Sequence, residues 1–448
     1  MVGGWVVRKP LQVSDNVAKL LHAGRITYGE ALFTQQGQAG TYRPLMWAQL
    51  KLAGRLLNGR EAEGFVWLLA VQAAAVIVLL AAALGVRDWP GAVAGSIALM
   101  VFVGHHAVRG LVLEGYPINH YSLIVLYLIT TLWLIRVGPP RLAGVGLPMV
   151  AGLAVFTFEG GLAVALIALI AYVARYGNVR RSGALAIGAV LLVYAAAHVH
   201  VAGLAPVREM LRPTGLGFQR LEPDALERAF QGHWVPFFAY NVMSALSGVL
   251  LSEPRDGVWQ LSSAVSSSGG MPGYVVCVLS SVVVSGTIVY AVLTRAVDWR
   301  PRADPDSALL WTCAAGIVGT GMLSFAYCKD QIMTPAVALY SVLTYVCVRR
   351  LLLIVPVGTL ASLVVLTMTL LTGAGLWAFR TAELGCQIRA AAVRDRNDWA
   401  RASSPGIGAD ASLADQSMTD RMRRHFVFMQ TPQLERMPDT FVCRMPLP

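Results

Sequence analysis

The feature that most constrains this chain is a recurrence: apolar runs, most of roughly 17 to 25 residues and several shorter, return again and again between short charged loops. Coiled as a helix, such a run is long enough to cross a hydrocarbon layer about 30 Å thick. The candidate spans are 64–84, 91–113, 119–135, 142–157, 160–174, 182–202, 271–293, 307–326, 331–348 and 351–378. The expected fold class is therefore all-α, a polytopic integral membrane helical bundle of about ten transmembrane helices. Composition agrees: 56% of residues are apolar and 14% charged, against about 25% charged in ordinary soluble domains.

Arginine placement sets the topology. A further apolar segment, 233–251, decides the side on which everything after it falls. With 1–61 on the outside and 233–251 re-entering or lying at the interface, one face receives Arg87, Arg136 and Arg141, Arg175, Arg180 and Arg181, Arg295, Arg300 and Arg302, and Arg349 and Arg350. This is the positive-inside pattern. Counting 233–251 as a crossing would move the last two groups to the other side, so it is read as non-spanning. Three regions follow: 1–61 is a first extracytoplasmic loop with amphipathic helices, 62–378 a transmembrane domain including the extracytoplasmic stretch 203–270, and 379–448 a small extracytoplasmic C-terminal tail.

The net charge of +11 sits in loops beside apolar segments, with no basic stripe interleaved with aromatics, so no nucleic-acid partner is expected. The partner called for is the lipid bilayer. Six cysteines form no C-x-x-C pair. Cys277, Cys313 and Cys347 read as packing residues, while Cys386 and Cys443 in the polar tail could pair. His105 with His106, and His198 with His200, are adjacent or alternate on helices and do not share a face, so no zinc site is expected. No cofactor is called for; a divalent metal is compatible with the chemistry below but nothing in the sequence indicates one. The opening "MVGGWVVRKPLQV" lacks the apolar core and cleavage site of a secretory signal.

Polar groups gather at the outer ends of the spans, where ionisable residues are expensive and often mark a site. Ser14 or Asp15 precedes a helical face of Val17, Leu20 and Leu21, which makes a helix cap the simpler local reading. Arg43 in "TYRPL" can bind phosphate or anchor to headgroups, with Pro44 starting a helix. Glu159 in "VFTFEGG" lies between two apolar runs, as a site residue or a helix-end carboxylate facing outward. Lys329 and Asp330 read as a loop pair.

The order of these motifs resembles membrane glycosyltransferases of the C-type fold (GT-C), which take sugars from polyprenyl-phosphate carriers. The stretches that carry the resemblance are "SDNVAKLLHAGRITYGEALFTQQGQAGTYRPLMWAQL", "FVGHHAVRGLVLEGYPINHYSLIVLYL", "FTFEGG", "YNVMSALSGVLLSEPRDGVW" and "FAYCKDQIMTPAVALYSVL", across roughly residues 13 to 350. The resemblance implies an inverting displacement with Asp15 as general base. It implies Arg43, Arg255 and Lys329 as holders of the donor phosphate, and Asn16, Glu114, His120 and Glu159 as acceptor or substrate contacts. The partners implied are a polyprenyl-phosphate-linked sugar and an envelope glycan, lipid or protein acceptor, at the outer face of a bacterial inner membrane.

Two departures from the family pattern stand out. Its first-loop motif usually has two acids where this chain has Asp15 followed by Asn16, and relatives place a spanning helix before that motif, where fourteen residues precede Asp15. The expectation is an upstream apolar segment of about 20 residues. A non-catalytic carrier-binding or scaffold relative, and a polytopic transporter or flippase, are the competing readings; a transporter would place charges at mid-membrane on paired broken helices.

Overall fold

The structure, a computed structural model, describes residues 9–34, 36, 42–113, 116–203, 233–251, 272–298, 300, 304–325, 330–354, 360–402 and 413–435. Every regular element among them is helical. Six helices are long and apolar enough to cross a membrane, seven if one bent pair counts as a single span. The protein is an integral membrane helical bundle.

Three short helices precede the first span. α1 (Ser14–Arg25) is amphipathic, and its Val17, Leu20 and Leu21 are buried. α2 (Tyr28–Phe33) opens with a capping box in which Thr27 and Glu30 exchange side-chain and backbone hydrogen bonds. α3 (Pro44–Leu56) starts on the proline of "TYRPL", which lacks the N–H that a first turn would leave unpaired. α4 (Glu61–Leu84) then crosses and stops at Gly85, whose φ of 62° is the left-handed conformation that ends many helices.

α5 (Trp89–Gly104) and α6 (His106–Leu113) return to the first face. They had been expected as one span over 91–113, but are bent by 65° at His105. The cause is local. His105 leaves the helical region with ψ of 134°, and its ring Nδ1 accepts from the Ala107 N–H at 3.2 Å, replacing a helical bond that the break removes.

α7 (His120–Arg136), α8 (Pro140–Thr157), α9 (Leu162–Val173) and α10 (Arg181–Ala202) continue the alternation, followed by α11 (Trp234–Leu251), α12 (Pro272–Leu293), α13 (Pro305–Leu323), α14 (Thr334–Ile354) and α15 (Leu360–Arg401). The expected span 351–378 is displaced: α14 absorbs its first residues, and α15 runs 42 residues without ending at 378. No proline or glycine interrupts its last fifteen residues, and Ile388, Ala392 and Trp399 there are buried, as is Leu384 just before them. The tail therefore begins as a continuation of the last membrane helix.

Ion pairs fix the arginine-bearing face. Asp88, at the start of α5, accepts from Arg349 near the end of α14 at 2.7 Å. Arg350 binds Asp304 at 2.9 Å, and also Asp306, at the start of α13. Arg136, ending α7, donates to the Ala83 carbonyl at 2.6 Å. Helix α11 makes its polar contacts elsewhere. Its Asn241 donates to the Phe325 carbonyl beyond the far end of α13 at 2.8 Å, and its Val249 carbonyl meets His105 Nε2 at 2.9 Å. Both contacts lie in the half of the bundle opposite the arginines.

A separate core forms outside the bundle on that opposite side. Leu11, Val17, Leu20, Met46, Trp47 and Phe65 from the N-terminal region pack with Trp399 of α15 and with Met422 and Phe426 of the tail. The tail itself continues as α16 (Leu413–Arg424), a π-helical turn His425–Met429 and α17 (Thr431–Glu435).

Candidate active site

An open cleft of about 470 Å³, its mouth included, lies where this second core meets the bundle. Its walls come from α1, α3, the segment before α7, and the turn after α8. The residues that matter chemically are Asn16, Lys19, Arg43, Tyr116, His120 and Phe158.

α1 contributes Asn16 and Lys19, three residues apart and so on one helix face. Its buried face, Val17, Leu20 and Leu21, is sealed by Trp47 and its neighbours, which orients the polar face toward the cleft. Asn16 is itself only 1% exposed, and its Nδ2 donates to Gln12 Oε1 at 3.2 Å. Asp15 is the second residue of α1, four before Lys19, and is described by its backbone alone. The N-cap position of α1 falls on Val13, which makes no side-chain cap bond, rather than on Ser14 or Asp15. Its start is secured by the core instead.

Arg43 stands at the N-cap of α3. Its Nε donates to both carboxylate oxygens of Glu159 at 2.9 Å, and its guanidinium carbon lies 4.3 Å from the centre of the Phe158 ring. Glu159 sits in a single 3-10 turn, Glu159–Gly161, between α8 and α9. That turn closes against α8 so tightly that a Cβ on Gly161 would fall 2.2 Å from the Ala154 carbonyl. Tyr42, next to Arg43, donates its hydroxyl to the Leu32 carbonyl at 2.9 Å, and burial pushes its phenol pKa up.

The aromatic wall was not foreseen in the sequence. Tyr121 meets Phe158 edge-on at 5.1 Å and Tyr116 at 6.3 Å, while Lys19 Nζ lies 5.5 Å over Tyr116. His120 presents a buried Nε2 without a hydrogen-bond partner among the described residues. Lys19, too, had been passed over, although its spacing from Asp15 and Asn16 was a readable signal.

The structure thus brings the sequence-named Asn16, Arg43 and His120 to one cleft and Glu159 against Arg43, and Asn16 sits on the helix that also carries Asp15. Glu114, Arg255 and Lys329 lie outside the described residues. So does the Lys329–Asp330 pair as a pair, because nothing of the Lys329 geometry or the Asp330 side chain is described. Among the described residues no group of three or more His, Cys, Asp or Glu is placed to hold a metal ion. His105 and His106 stack at 4.7 Å within the bundle instead. Cys277, Cys313 and Cys347 are buried thiols, and Cys386 is disulfide-bonded.

Chemically, the cleft has a cationic side, from Lys19 and Arg43, and flat aromatic surfaces suited to the faces of a sugar ring. It opens at the start of α7, beside His120, and at the end of α8, beside Phe158. No family model matches the sequence, and no curated protein matches it. Among solved structures the chain is similar to ArnT from Cupriavidus metallidurans bound to undecaprenyl phosphate, at 14% identity and a TM-score of 0.47, over 95% of this chain and 82% of that one.

Proposed function

We propose that this chain is a membrane glycosyltransferase of the GT-C type, moving a sugar from a polyprenyl-phosphate carrier to an envelope acceptor at the outer face of a bacterial inner membrane. The observation that carries the reading is the cleft itself: the helix bearing Asp15 lines it with Asn16 and Lys19, together with Arg43 and an aromatic wall. The motif order of the sequence supports the same class. The disulfide at Cys386, in the outer part of α15, fits an oxidising compartment on that side.

In this reading the acceptor hydroxyl attacks the anomeric carbon. Its proton passes to the Asp15 carboxylate, a new glycosidic C–O bond forms, and the C–O bond to the carrier phosphate breaks on the opposite face. The departing phosphate carries the developing negative charge, which Arg43 and Lys19 stabilise. Glu159 binds Arg43 and fixes the direction of its guanidinium, so its role is to position the arginine. Phe158 and Tyr121 offer ring surfaces against which the sugar stacks. His120 completes the donor set beside Arg43.

The test is Asp15→Asn, assayed in isolated membranes by the consumption of sugar-charged polyprenyl phosphate. The expected result is a fall of about 10² to 10⁴ in transfer, the usual weight of general-base catalysis, with charged carrier accumulating and expression unchanged. Transfer at the parental rate would remove Asp15 from the role of base. Carrier binding with no turnover in the parent chain would replace the enzyme by a carrier-binding relative.

A further inference from the structure

A second cluster of charged side chains lies apart from the cleft, beside the break between α5 and α6. Arg380 of α15 is fully buried. One edge of its guanidinium is anchored: Nη1 donates to Ser280 Oγ at 3.0 Å and Ser281 Oγ at 3.1 Å. Its plane lies against Trp377, 4.0 Å from the ring centre. The other edge, formed by Nε and Nη2, has no hydrogen-bond partner among the described residues. Gly104 permits this packing, since a Cβ there would fall 2.9 Å from Trp377 Cε3 and 3.3 Å from Arg380 Cβ.

One helical turn further, Glu383 is 1% exposed and Arg109 of α6 is 17% exposed; they pair at 3.2 Å. Glu383 Oε1 takes that bond and a second from Gln387 at 2.9 Å. Glu383 Oε2 and Arg109 Nε are also buried without partners among the described residues. The cluster therefore holds a vacant guanidinium fork, a further vacant donor and one vacant acceptor. A charge held away from water in this way demands a partner.

We propose that this cluster binds a phosphomonoester group. The Nε–Nη2 edge of an arginine matches two oxygens of a phosphate or carboxylate, and Arg109 Nε adds a third donor. The vacant Glu383 oxygen selects between these classes. It needs a donor from the ligand, which the P–OH of a phosphomonoester monoanion supplies and which a carboxylate or a phosphodiester lacks. Arg109, the most exposed of the three, marks the entrance. Nothing in this site depends on sugar transfer in the cleft.

Native mass spectrometry of the full chain in phosphatidylcholine nanodiscs tests it, using an Arg43→Ala background to remove the arginine of the cleft. The probes are dioleoyl phosphatidic acid, a lipid phosphomonoester; dioleoyl phosphatidylmethanol, its diester counterpart with no headgroup hydroxyl; and, in detergent by calorimetry, inorganic phosphate. Phosphatidic acid is expected to bind at least ten times tighter than phosphatidylmethanol. Arg380→Lys, which keeps the charge and loses the fork, is expected to weaken binding at least tenfold. Glu383→Gln, which places an amide donor where the vacant acceptor stood, is expected to erase the monoester preference and admit phosphatidylmethanol. Binding of phosphatidic acid alone assigns the site to a lipid headgroup, and binding of inorganic phosphate alone to the free ion. Three results overturn the proposal: equal affinity for monoester and diester lipids, a preference untouched by both substitutions, or no binding of any probe, which would leave only a hydrated polar cluster.

Discussion

Breaking the contact between Lys9 and Asp395 should release the N-terminal helices from the tail. Lys9 Nζ lies 2.9 Å from Asp395 Oδ2, and the two side chains are 0% and 2% exposed. Two positions further along the chain, the Leu11 carbonyl accepts from Trp399 Nε1 at 2.7 Å, so one turn of α15 grips the segment leading into α1. Lys9→Met leaves the Asp395 carboxylate buried. Its other cationic partner, Arg394 at 3.1 Å, is 61% exposed and compensates poorly. Breaking a buried pair on one side costs about 3 to 5 kcal/mol, and the Arg394 contact argues for the lower end. At about 1.4 kcal/mol per factor of ten, 3 kcal/mol is roughly a 150-fold rise in the population with α1 undocked. Hydrogen exchange of the α1 amides in detergent reads that population directly. The double variant Lys9→Met with Asp395→Leu removes both charges and should recover most of the protection, because an apolar pair in the same space carries no desolvation cost. Exchange of residues 14–25 within threefold of the parent in Lys9→Met, or a double variant as labile as the single, would refute the clamp.

Three further outcomes are expected. The Arg349 hydrogen bond, helped by the Gly91 N–H, holds the Asp88 carboxyl below its usual range; a depressed carboxylate pKa adds stability above the unfolded value of about 3.9 and loses it as pH falls through the folded one. Thermal unfolding between pH 5.5 and 3 should therefore drop more steeply for the parent than for Asp88→Asn, and parallel curves would contradict this. Gly161→Ala puts a Cβ 2.2 Å from backbone atoms of Ala154 and should cost about 1 to 3 kcal/mol as overpacking does, seen as a lowered Tm. Gly24→Ala, whose Cβ meets nothing within 4 Å, is the control and should leave Tm in place. Asn16→Asp should destabilise by about 1 to 3 kcal/mol, because a carboxylate would replace a buried donor, and should not raise sugar transfer; increased transfer in the membrane assay would show that a second acid is used.

Apolar run length made most of the bundle legible, because a helix in lipid must pair its own backbone and so has little freedom in where it starts and stops. The exceptions are informative. Nothing in the hydropathy of 91–113 distinguishes a straight span from one broken at His105, since the break depends on a side chain bonding to the Ala107 N–H. The boundary at 378 was drawn where polarity rises, yet α15 continues because its buried stripe of Leu384, Ile388 and Ala392 packs on the bundle. In the site, Arg43 and Glu159 could each be named from the sequence, but they are 116 residues apart and their mutual bond is a tertiary fact. The aromatic wall was illegible for the same reason: the meeting of Tyr121 with Phe158 and Tyr116 is a tertiary fact, and aromatics at helix ends are a common occurrence in membrane chains.

The one pair of residues that departs from the family pattern, Asp15 and Asn16, takes on a different meaning in three dimensions. Asn16 is 1% exposed and its amide nitrogen is engaged by Gln12. A carboxylate at that position would have to be desolvated and would forfeit the donor that Gln12 accepts, a double cost at a buried site. Position 16 in this chain is thus built for a neutral amide, and its neighbour Leu20 on the next turn belongs to the same buried core. The cations around the cleft fit the same account. Glu159 neutralises Arg43 in part, while Lys19 stands over an aromatic ring. Asn16 is then a matched feature of this fold, holding the start of α1 through Gln12, and the proposed mechanism asks only one carboxylate of that helix.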